Sequence, residues 1–303
     1  MKTGARLPAW LTKPMADPAE TRLVRETLKS HRVNTVCDEA RCPNRVDCFS
    51  RGTATFMILG DRCTRDCGFC AVSHGSPVPV DPAEPDEVAS AATTLGLDFV
   101  VVTSVTRDDL PDGGAAQFAA TVQAIRRADP RAGIEVLVPD FAGSPDAVET
   151  VLAAGPDVFG HNVETIERLY PAVRKGAGYE RSLEVLSRAA GSSSGALVKS
   201  GLMLGMGETR EELGRALADV LAAGVEIICL GQYLRPSAEH HPVARFVAPE
   251  EFDELAVECL AMGFRWASAG PFIRSSYRAH EAVAALGKRS HVLLNSVRGK
   301  ERA

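Results

Sequence analysis

The chain has 303 residues, which is long enough for one large domain or two ordinary ones with a substantial core. Hydrophobic residues make up 45% of it and charged residues 24%, which excludes a disordered chain, a collagen-like chain and a coiled-coil rod. The 34 basic and 39 acidic residues give a net charge of −5, so no general attraction to nucleic acid or to an anionic membrane is expected.

The shortness of the apolar runs predicts a cytoplasmic protein. No run approaches the ~20 apolar residues that span a bilayer. Residues 1–8 also lack the apolar stretch of a secretory signal. In a reducing compartment, cysteines are more often metal ligands or nucleophiles than disulfide partners.

The first quarter of the chain predicts an arm, two loops and one strand. Apolar side chains at helical spacing predict a helix over residues 20–31. Residues 37–48 are polar and predict a loop. A strand is predicted over residues 53–59, and residues 63–75, rich in Gly, Cys and Asp, predict a second loop.

From about residue 85 onward, short β-branched apolar runs alternate with helical patterns. The predicted strands are 99–102, 134–138, 158–159, 198–204, 225–230 and 264–267. Two helix starts are well marked, because Ser144 precedes Pro145 and Thr209 with Glu212 has capping-box spacing. Roughly six or seven such repeats predict a closed or partly open α/β barrel, with a doubly wound sheet as the alternative.

Cys63, Cys67 and Cys70 form a CxxxCxxC loop directly after the first predicted barrel strand. Three thiolates in so short a loop can hold an iron–sulfur cubane and leave its fourth iron free to chelate the amino and carboxylate groups of a methionine-derived cofactor. A zinc site is the alternative, with His74 as the one nearby fourth ligand. Structural zinc is normally closed by four protein ligands, so the spacing favours the open cluster.

Cys37, Cys42 and Cys48 form a second set of three with CxxxxCxxxxxC spacing. Two sets, each one short of the four thiolates usual for a cubane, favour two [4Fe–4S] clusters with unusual fourth positions. The alternative is a cross-braced module in which the six thiolates bind zinc, and the mismatched spacings count against it. Cys229 and Cys259 are predicted to be packing residues.

In their order along the chain, the motifs resemble the lipoyl synthase family of radical S-adenosylmethionine enzymes. The resemblance extends over nearly the whole chain, and its motifs are TVCDEARCPN, GTATFMILGDRCTRDCGFCAV, TSVTRDDLPDGG, HNVET, KSGLMLGMGET, GQYLRPS and RSSY. It implies a partial (β/α)6-type TIM barrel over residues 51–270. It also implies an amino-terminal extension, residues 1–50, with the auxiliary cysteine loop, and a carboxy-terminal extension, residues 271–303, with a serine ligand.

By this resemblance, the cluster at Cys63, Cys67 and Cys70 reductively cleaves S-adenosyl-L-methionine to the 5′-deoxyadenosyl radical. The second set of cysteines holds an auxiliary [4Fe–4S] cluster whose sulfides are consumed. The implied reaction inserts two sulfur atoms at carbons 6 and 8 of a protein-bound octanoyl-lysine. The implied partners are an octanoylated lipoyl carrier domain (the glycine cleavage H protein or the E2 lipoyl domain of a 2-oxoacid dehydrogenase), an electron donor such as flavodoxin or ferredoxin, and an iron–sulfur cluster carrier, with neither nucleic acid nor membrane.

The resemblance further implies that Ser275, the first serine of RSSY, is the fourth ligand of the auxiliary cluster. The residues themselves leave Ser276 open as that ligand. Without the resemblance, residues 274–277 predict a helix start capped by serine.

Five residues are candidate contacts for S-adenosylmethionine: Thr103, Asn162, Glu164, Lys199 and Arg235. Asn162 and Glu164 follow a predicted strand, and an N-cap network is the alternative for them. A lysine within a strand is costly if it is buried without a partner, so Lys199 is either a cofactor contact or an exposed edge residue. Arg174 and Lys175 are predicted surface charges, with a position beside a substrate pocket as the alternative. By the resemblance, Pro is usual where Lys175 stands.

Two other classes of protein compete with this interpretation. A different dual-cluster radical enzyme, such as a methylthiotransferase acting on tRNA, would predict a basic RNA-binding module, against which the net charge argues. A non-catalytic scaffold would use the cysteines as zinc ribbons. Zinc without sulfide in the purified protein would favour that scaffold.

Overall fold

An eight-stranded sheet is the centre of the computed structural model, which describes residues 7–13, 19 and 21–287. Its strands are β1 (Asn34–Thr35), β2 (Thr55–Ile58), β3 (Phe99–Ser104), β4 (Gly133–Leu137), β5 (Val158–Gly160), β6 (Leu197–Leu204), β7 (Ile227–Gln232) and β8 (Trp266–Gly270). The helices are α1 (Arg22–Ser30), α2 (Val36–Glu39), α3 (Arg45–Ser50), α4 (Glu84–Thr94), α5 (Ala115–Ala128), α6 (Pro145–Ala153), α7 (Tyr170–Val173), α8 (Tyr179–Gly191), α9 (Arg210–Ala222), α10 (Pro249–Met262) and α11 (Ala279–Ala285).

The strands neighbour one another in chain order, from β1 to β8. β1 is antiparallel to β2, and every later neighbouring pair is parallel. All seven predicted strands are confirmed, as is their alternation with helices. A doubly wound sheet reverses its strand order at a switch point, so that alternative is wrong, while the partial barrel stays a prediction.

The apolar runs form strands because helices cover the parallel sheet. Every residue of β2 and of β7 is buried. Strands of parallel sheets are buried on both faces and therefore have continuous rather than alternating apolar sequences.

The predicted helix starts of α6 and α9 are confirmed. Ser144 Oγ accepts the N–H of Ala147 at 3.3 Å. Thr209 and Glu212 form both hydrogen bonds of a capping box, at 3.2 and 2.9 Å. The longest described helices, α5 and α10, have 14 residues each, and no described helix is long and apolar enough to cross a membrane.

The prediction of a loop over residues 37–48 is wrong, because this segment contains α2 and most of α3. Thr35 Oγ1 accepts the N–H of Asp38 at 3.3 Å and caps α2. Asp38 and Glu39 place acidic side chains in the first turn, which favours a helix start. Helices this short follow from local caps, which the search for apolar periodicity does not detect.

Residues 275–278 form a turn ahead of α11, so the predicted helix start at residues 274–277 is wrong. The predicted carboxy-terminal extension is described only as far as residue 287. Within the predicted amino-terminal extension, residues 1–6, 14–18 and 20 lie outside the described residues.

Two glycines of neighbouring strands make room for the segment that follows β8. A Cβ at Gly201 in β6 would lie 2.6 Å from Ser275 Oγ. A Cβ at Gly231 in β7 would collide with the carbonyl oxygen of Ile273. These missing side chains let the RSSY segment lie directly against the ends of β6 and β7.

Replacing Gly231 by Ala tests whether the absence of a side chain here makes room for residue 273. We expect Gly231→Ala to lower the free energy of unfolding by about 1–3 kcal/mol, as overpacking does, because the new methyl group meets the Ile273 carbonyl. Urea unfolding followed by circular dichroism measures the change. Gly214→Ala in α9 is the control, since a Cβ there meets no heavy atom within 4 Å and Ala favours a helix. Wild-type stability in Gly231→Ala would contradict the close packing of Ile273 against β7.

Candidate functional site

One cavity of about 490 Å³ opens at the carboxyl ends of the parallel strands, where α/β proteins place ligand sites. Its lining combines both cysteine sets with the RSSY segment, through Cys42, Cys63, Cys67, Cys70, Ser275 and Ser276. The polar lining also includes Arg65, Thr103, Thr106, Asp140, Asn162, Glu164, Arg174, Arg235 and Arg274. The apolar lining includes Met57, Phe69, Val105, Leu137, Leu202 and Met203.

The first cysteine loop, residues 63–70, is fastened to the loop that follows β3. The backbone N–H of Thr64 donates to the carbonyl of Thr106 at 3.0 Å. The N–H groups of Arg65 and Thr106 donate to Cys63 Sγ at 3.4 and 3.3 Å. Such donors stabilise a thiolate and are one means by which a protein adjusts an iron–sulfur cluster.

Two thiols of this loop, those of Cys67 and Cys70, are partly buried at the cavity wall. Burial raises the pKa of the Cys67 thiol to about 11, against the opposing effect of the Arg174 charge. Burial likewise raises the pKa of the Cys70 thiol to about 12, although a backbone hydrogen bond from Val72 lowers it. Both thiols therefore carry protons at neutral pH, and metal binding must displace those protons.

Arg65 locks the same loop to two strand ends, a role that the sequence analysis missed. Its Nη2 lies 2.7 Å from Asp108 Oδ1 and 2.7 Å from Asp140 Oδ1. The Arg65 side chain is 7% exposed and that of Asp140 is fully buried. Burial alone would raise the pKa of Asp140, but the hydrogen bonds and charge of Arg65 lower it to about 2.

The second cysteine set lies on two short helices and their connection. Cys37 belongs to α2, Cys48 to α3, and Cys42 lines the cavity between them. Burial raises the pKa of Cys37 to about 12, and the charges of Cys42 and Cys48 add to the increase. Burial raises the pKa of Cys48 to about 11, and the charge of Cys42 adds to that increase. The three sulfurs are therefore close enough to interact electrostatically.

An amino-terminal segment and a carboxy-terminal segment of the described chain meet beside this second set. Asn44 Nδ2 donates to the carbonyl of Phe272 at 2.7 Å. The Tyr277 hydroxyl donates to Asp47 Oδ2 at 2.7 Å. Lys13 Nζ lies 4.6 Å from the centre of the Phe272 ring and 5.2 Å from that of Tyr277, within cation–π range. The RSSY segment is thus held against the connection that carries Cys42.

Ser275 lies at the junction of these parts. It is 8% exposed, and its hydroxyl donates to Asn162 Oδ1 at 2.6 Å. Asn162 Nδ2 in turn donates to Glu164 Oε1 at 3.0 Å. Ser276 also lines the cavity, but the hydrogen bond to Asn162 belongs to Ser275.

Four of the five candidate cofactor contacts line the cavity: Thr103, Asn162, Glu164 and Arg235. The Thr103 hydroxyl donates to the carbonyl of Leu137 at 2.8 Å. Arg235 Nε donates to the carbonyl of His240 at 2.8 Å, within its own loop. The hydrogen bond between Asn162 and Glu164 joins two side chains rather than capping a helix.

Lys199 is a correction to the predicted set, because it does not line the cavity. Its ammonium lies 2.9 Å from both carboxylate oxygens of Glu135, and the two side chains are only 2% and 1% exposed. It is therefore neither a cofactor contact nor an exposed edge residue. Glu135 on β4 supplies the partner that its burial requires.

Arg174 is a second correction, since it is not a surface charge. It is 9% exposed, lines the cavity, and donates from Nη1 to the Tyr170 hydroxyl and to Ser182 Oγ, each at 2.9 Å. Lys175 is exposed as predicted and lies 3.4 Å from Asp66. The sequence signal that could have identified it is its position in the segment that follows β5, since such segments carry the ligand-binding residues of α/β proteins.

The first cysteine set suits one iron–sulfur cluster, and the second set supplies three further thiols as candidate ligands. Each set supplies three thiols, and backbone N–H groups already donate to Cys63 and Cys70. Among the described residues, no three His, Cys, Asp or Glu side chains are arranged to hold a single metal ion. His74, the alternative zinc ligand, is largely exposed, and its Nδ1 lies 3.7 Å from Asp66.

Comparison with known proteins gives the class first. The model of the Radical SAM superfamily matches residues 57–220. Streptococcus suis SuiB bound to S-adenosylmethionine resembles the chain in fold, with a TM-score of 0.56 at 10% identity over 70% of this chain and 48% of that one. Methylornithine synthase PylB has a TM-score of 0.52 at 15% identity, over 84% and 72% of the two chains. The fold and the first cysteine loop thus define a radical S-adenosylmethionine enzyme, a class that uses a [4Fe–4S] cluster and S-adenosylmethionine.

Sequence relatives narrow this class. The lipoyl synthases of Rubrobacter xylanophilus and Thermus thermophilus are each 52% identical over 274 residues, which cover 90% of this chain and 85% of each relative. That of Symbiobacterium thermophilum is 51% identical over 280 residues, 92% of this chain and 88% of the relative. The chain belongs to the lipoyl synthase family and is a radical S-adenosylmethionine sulfurtransferase.

Asp140 gives a pH-dependent prediction. A carboxyl whose pKa falls from 3.8 to about 2 on folding contributes about 2 kcal/mol of stability above pH 4, and this contribution is lost as the pH falls toward 2. We therefore expect Asp140→Asn to unfold more easily in urea at pH 7, with a difference from wild type that shrinks below pH 4. Asp253→Asn, at an exposed position of α10, is the control. A difference that does not change with pH would contradict the assignment.

Tyr277 tests the contact between the chain ends. We expect Tyr277→Phe to speed amide hydrogen exchange in residues 36–50 of the metal-free protein, because it removes the hydrogen bond to Asp47. Mass spectrometry of peptic fragments measures the exchange. Tyr233→Phe also removes one tyrosine hydrogen bond, to the carbonyl of His241, and should leave this segment unchanged. Equal exchange in residues 36–50 of wild type and Tyr277→Phe would show that the contact does not hold this segment.

Proposed function

We propose that this sulfurtransferase inserts two sulfur atoms at carbons 6 and 8 of an octanoyl-lysine on a carrier protein. The observation that carries the proposal is that the whole first cysteine set, Cys42 of the second set and Ser275 line one cavity. A sulfur source and a radical source must act on the same carbon, so they have to share one enclosed space. The family membership supplies the octanoyl substrate.

In this proposal Cys63, Cys67 and Cys70 hold one [4Fe–4S] cluster. Cys37, Cys42 and Cys48, together with Ser275, hold a second, auxiliary [4Fe–4S] cluster. When bound, these clusters and S-adenosylmethionine supply the radical that removes hydrogen from an unactivated carbon and the sulfur that replaces it. The chain divides into an amino-terminal extension (residues 1–50), a core (51–270) and a carboxy-terminal extension (271–303).

The protein side chains bind and orient rather than attack. An aliphatic C–H bond offers neither an acidic proton nor a leaving group, so acid–base and nucleophilic residues cannot activate it. The apolar wall, which includes Met57, Val105 and Leu202, provides a dry surface for an alkyl chain. Exclusion of water and of stray hydrogen donors protects a reactive intermediate in such a space.

The polar residues of the cavity are proposed to bind S-adenosylmethionine. Asn162 and Glu164 offer hydrogen-bonding groups for its ribose or its amino group, and Thr103 is a further polar residue of the lining. Arg235 is a candidate partner for the carboxylate. The buried Arg174 adds a positive charge beside Cys67 and Glu164.

Macromolecular partners follow from this chemistry. The substrate acyl group is proposed to arrive on an octanoylated lipoyl carrier domain. A flavodoxin or ferredoxin would supply electrons, and an iron–sulfur carrier would rebuild the auxiliary site. We propose a cytoplasmic location, where such partners occur.

The decisive assay combines anaerobically reconstituted protein, S-adenosylmethionine, dithionite and an octanoyl-lysine peptide, with products read by mass. Wild type should form thiolated peptide and 5′-deoxyadenosine. Joint replacement of Cys37, Cys42 and Cys48 by Ala should abolish thiolation but keep 5′-deoxyadenosine, because only the first set is needed for cofactor cleavage. Joint replacement of Cys63, Cys67 and Cys70 should abolish both products.

Iron content provides the accompanying control. Each triple variant should hold about four irons per chain against about eight in wild type, since each cubane contributes four. Cys259→Ala removes a buried thiol of α10, far in sequence from both sets, and should keep both clusters. Thiolation that persists without Cys37, Cys42 and Cys48 would reject the auxiliary site as the sulfur source.

A further inference from the structure

Three polar side chains form a hydrogen-bonded chain along the cavity wall. The Ser275 hydroxyl donates to Asn162 Oδ1 at 2.6 Å, and Asn162 Nδ2 donates to Glu164 Oε1 at 3.0 Å. All three residues line the cavity. Asn162 therefore connects the RSSY segment, which follows β8, to a carboxylate in the loop after β5.

The backbone of β6 fixes both ends of this chain. The N–H of Glu164 donates to the carbonyl of Gly201 at 2.9 Å, and the N–H of Met203 donates to the carbonyl of Glu164 at 2.8 Å. A Cβ at Gly201 would lie 2.6 Å from Ser275 Oγ and 3.0 Å from Asn162 Oδ1. Ser275 and Asn162 therefore pack against the same point of the β6 backbone.

Glu164 is also held in a costly backbone conformation. Its φ of 71° lies in the left-handed region, which costs a residue other than glycine about 1–3 kcal/mol. Strain of this kind persists only where the surroundings impose it, and it concentrates at functional sites. The carboxylate is therefore presented to the cavity at the expense of local stability.

The direction of the hydrogen bonds follows from the donor and acceptor chemistry. A primary amide donates from its nitrogen and accepts at its oxygen, whereas a carboxylate only accepts. Glu164 therefore keeps Asn162 Nδ2 toward itself and leaves Oδ1 facing Ser275, which must donate. A serine oxygen bound to iron as an alkoxide has no hydrogen to donate, so this arrangement opposes ligation.

We propose that Asn162 is a positioning residue that couples Ser275 to the occupant of Glu164. An ammonium group of S-adenosylmethionine at Glu164 would replace Asn162 Nδ2, and the freed amide could turn that donor toward Ser275 and favour its ligation to iron. This inference rests on the proposed function, in which Ser275 is an iron ligand. Because coupling is reciprocal, loss of the auxiliary cluster must weaken cofactor binding by the same factor.

The test measures the Kd of S-adenosylmethionine by equilibrium dialysis without reductant, so that no cofactor is cleaved. We expect Cys42→Ala, which lacks the auxiliary cluster, to bind about fivefold more weakly than wild type, at the low end of usual coupling. Adding Ser275→Ala to Cys42→Ala should restore the wild-type Kd, because Asn162 is then free. Cys48→Ala is a second variant without the auxiliary cluster, in case Cys42→Ala does not fold.

Ser276→Ala in the same background is the matched control and should leave the Kd raised. Equal Kd values in wild type and both single cysteine variants would overturn the coupling. So would restoration by Ser276→Ala in place of Ser275→Ala.

Mössbauer spectra separate failure of this inference from failure of the proposed function. A Ser275→Ala spectrum with a changed auxiliary cluster, together with equal Kd values, rejects the coupling alone. An unchanged spectrum with undiminished sulfur insertion rejects ligation by Ser275, and the coupling with it.

Discussion

The hydrogen bond between Asn44 and the carbonyl of Phe272 joins residues 228 positions apart. The arrangement of the cavity depends on this contact between the amino-terminal and carboxy-terminal segments. The connection that carries Cys42 comes from the amino-terminal part of the chain and Ser275 from the carboxy-terminal part, and residues 273–275 pack against β6 and β7. Gly201 and Gly231 make room for this packing by lacking side chains. The entropic cost of closing a loop grows only slowly with loop length, so a few well-placed contacts are enough to hold the two segments together.

Buried charges have different partners in the sheet and at the cavity. Deep in the sheet, Lys199 and Glu135 neutralise each other, since an unpaired buried ion would be strongly destabilising. Near the cavity, positive charges act on the cysteines instead: Arg174 and Arg65 on Cys67, and Lys13 on Cys48. Clusters held by several thiolates are anionic, so nearby cations oppose the repulsion that would accompany deprotonation of neighbouring thiols. These cations only partly offset the effect of burial, which keeps the thiol pKa values raised in the metal-free protein.

The features that could be predicted from the sequence are those encoded by local spacing. Apolar runs predicted all seven strands of the parallel part of the sheet because parallel strands are buried on both faces. Capping residues located α6 and α9, and cysteine spacing grouped the thiols. Partners across strands are not encoded in this way: nothing in the spacing pairs Lys199 with Glu135, or Arg65 with Asp108 and Asp140. The short helix α2 escaped detection because its stabilisation comes from one cap rather than from an apolar face.

Lys175, where the resemblance to the family leads us to expect a proline, can be explained from the contacts of its neighbours. Arg174, one residue earlier, is fixed by the hydroxyl groups of Tyr170 and Ser182, and neither contact requires a particular residue at the next position. Lys175 is 59% exposed and pairs at 3.4 Å with Asp66, which is 55% exposed and belongs to the first cysteine loop. Exposed pairs of this kind contribute about 0–1 kcal/mol, so the exchange adds at most a weak surface contact to the loop. The buried cation beside Cys67 is retained, and the departure from the family pattern is confined to the surface.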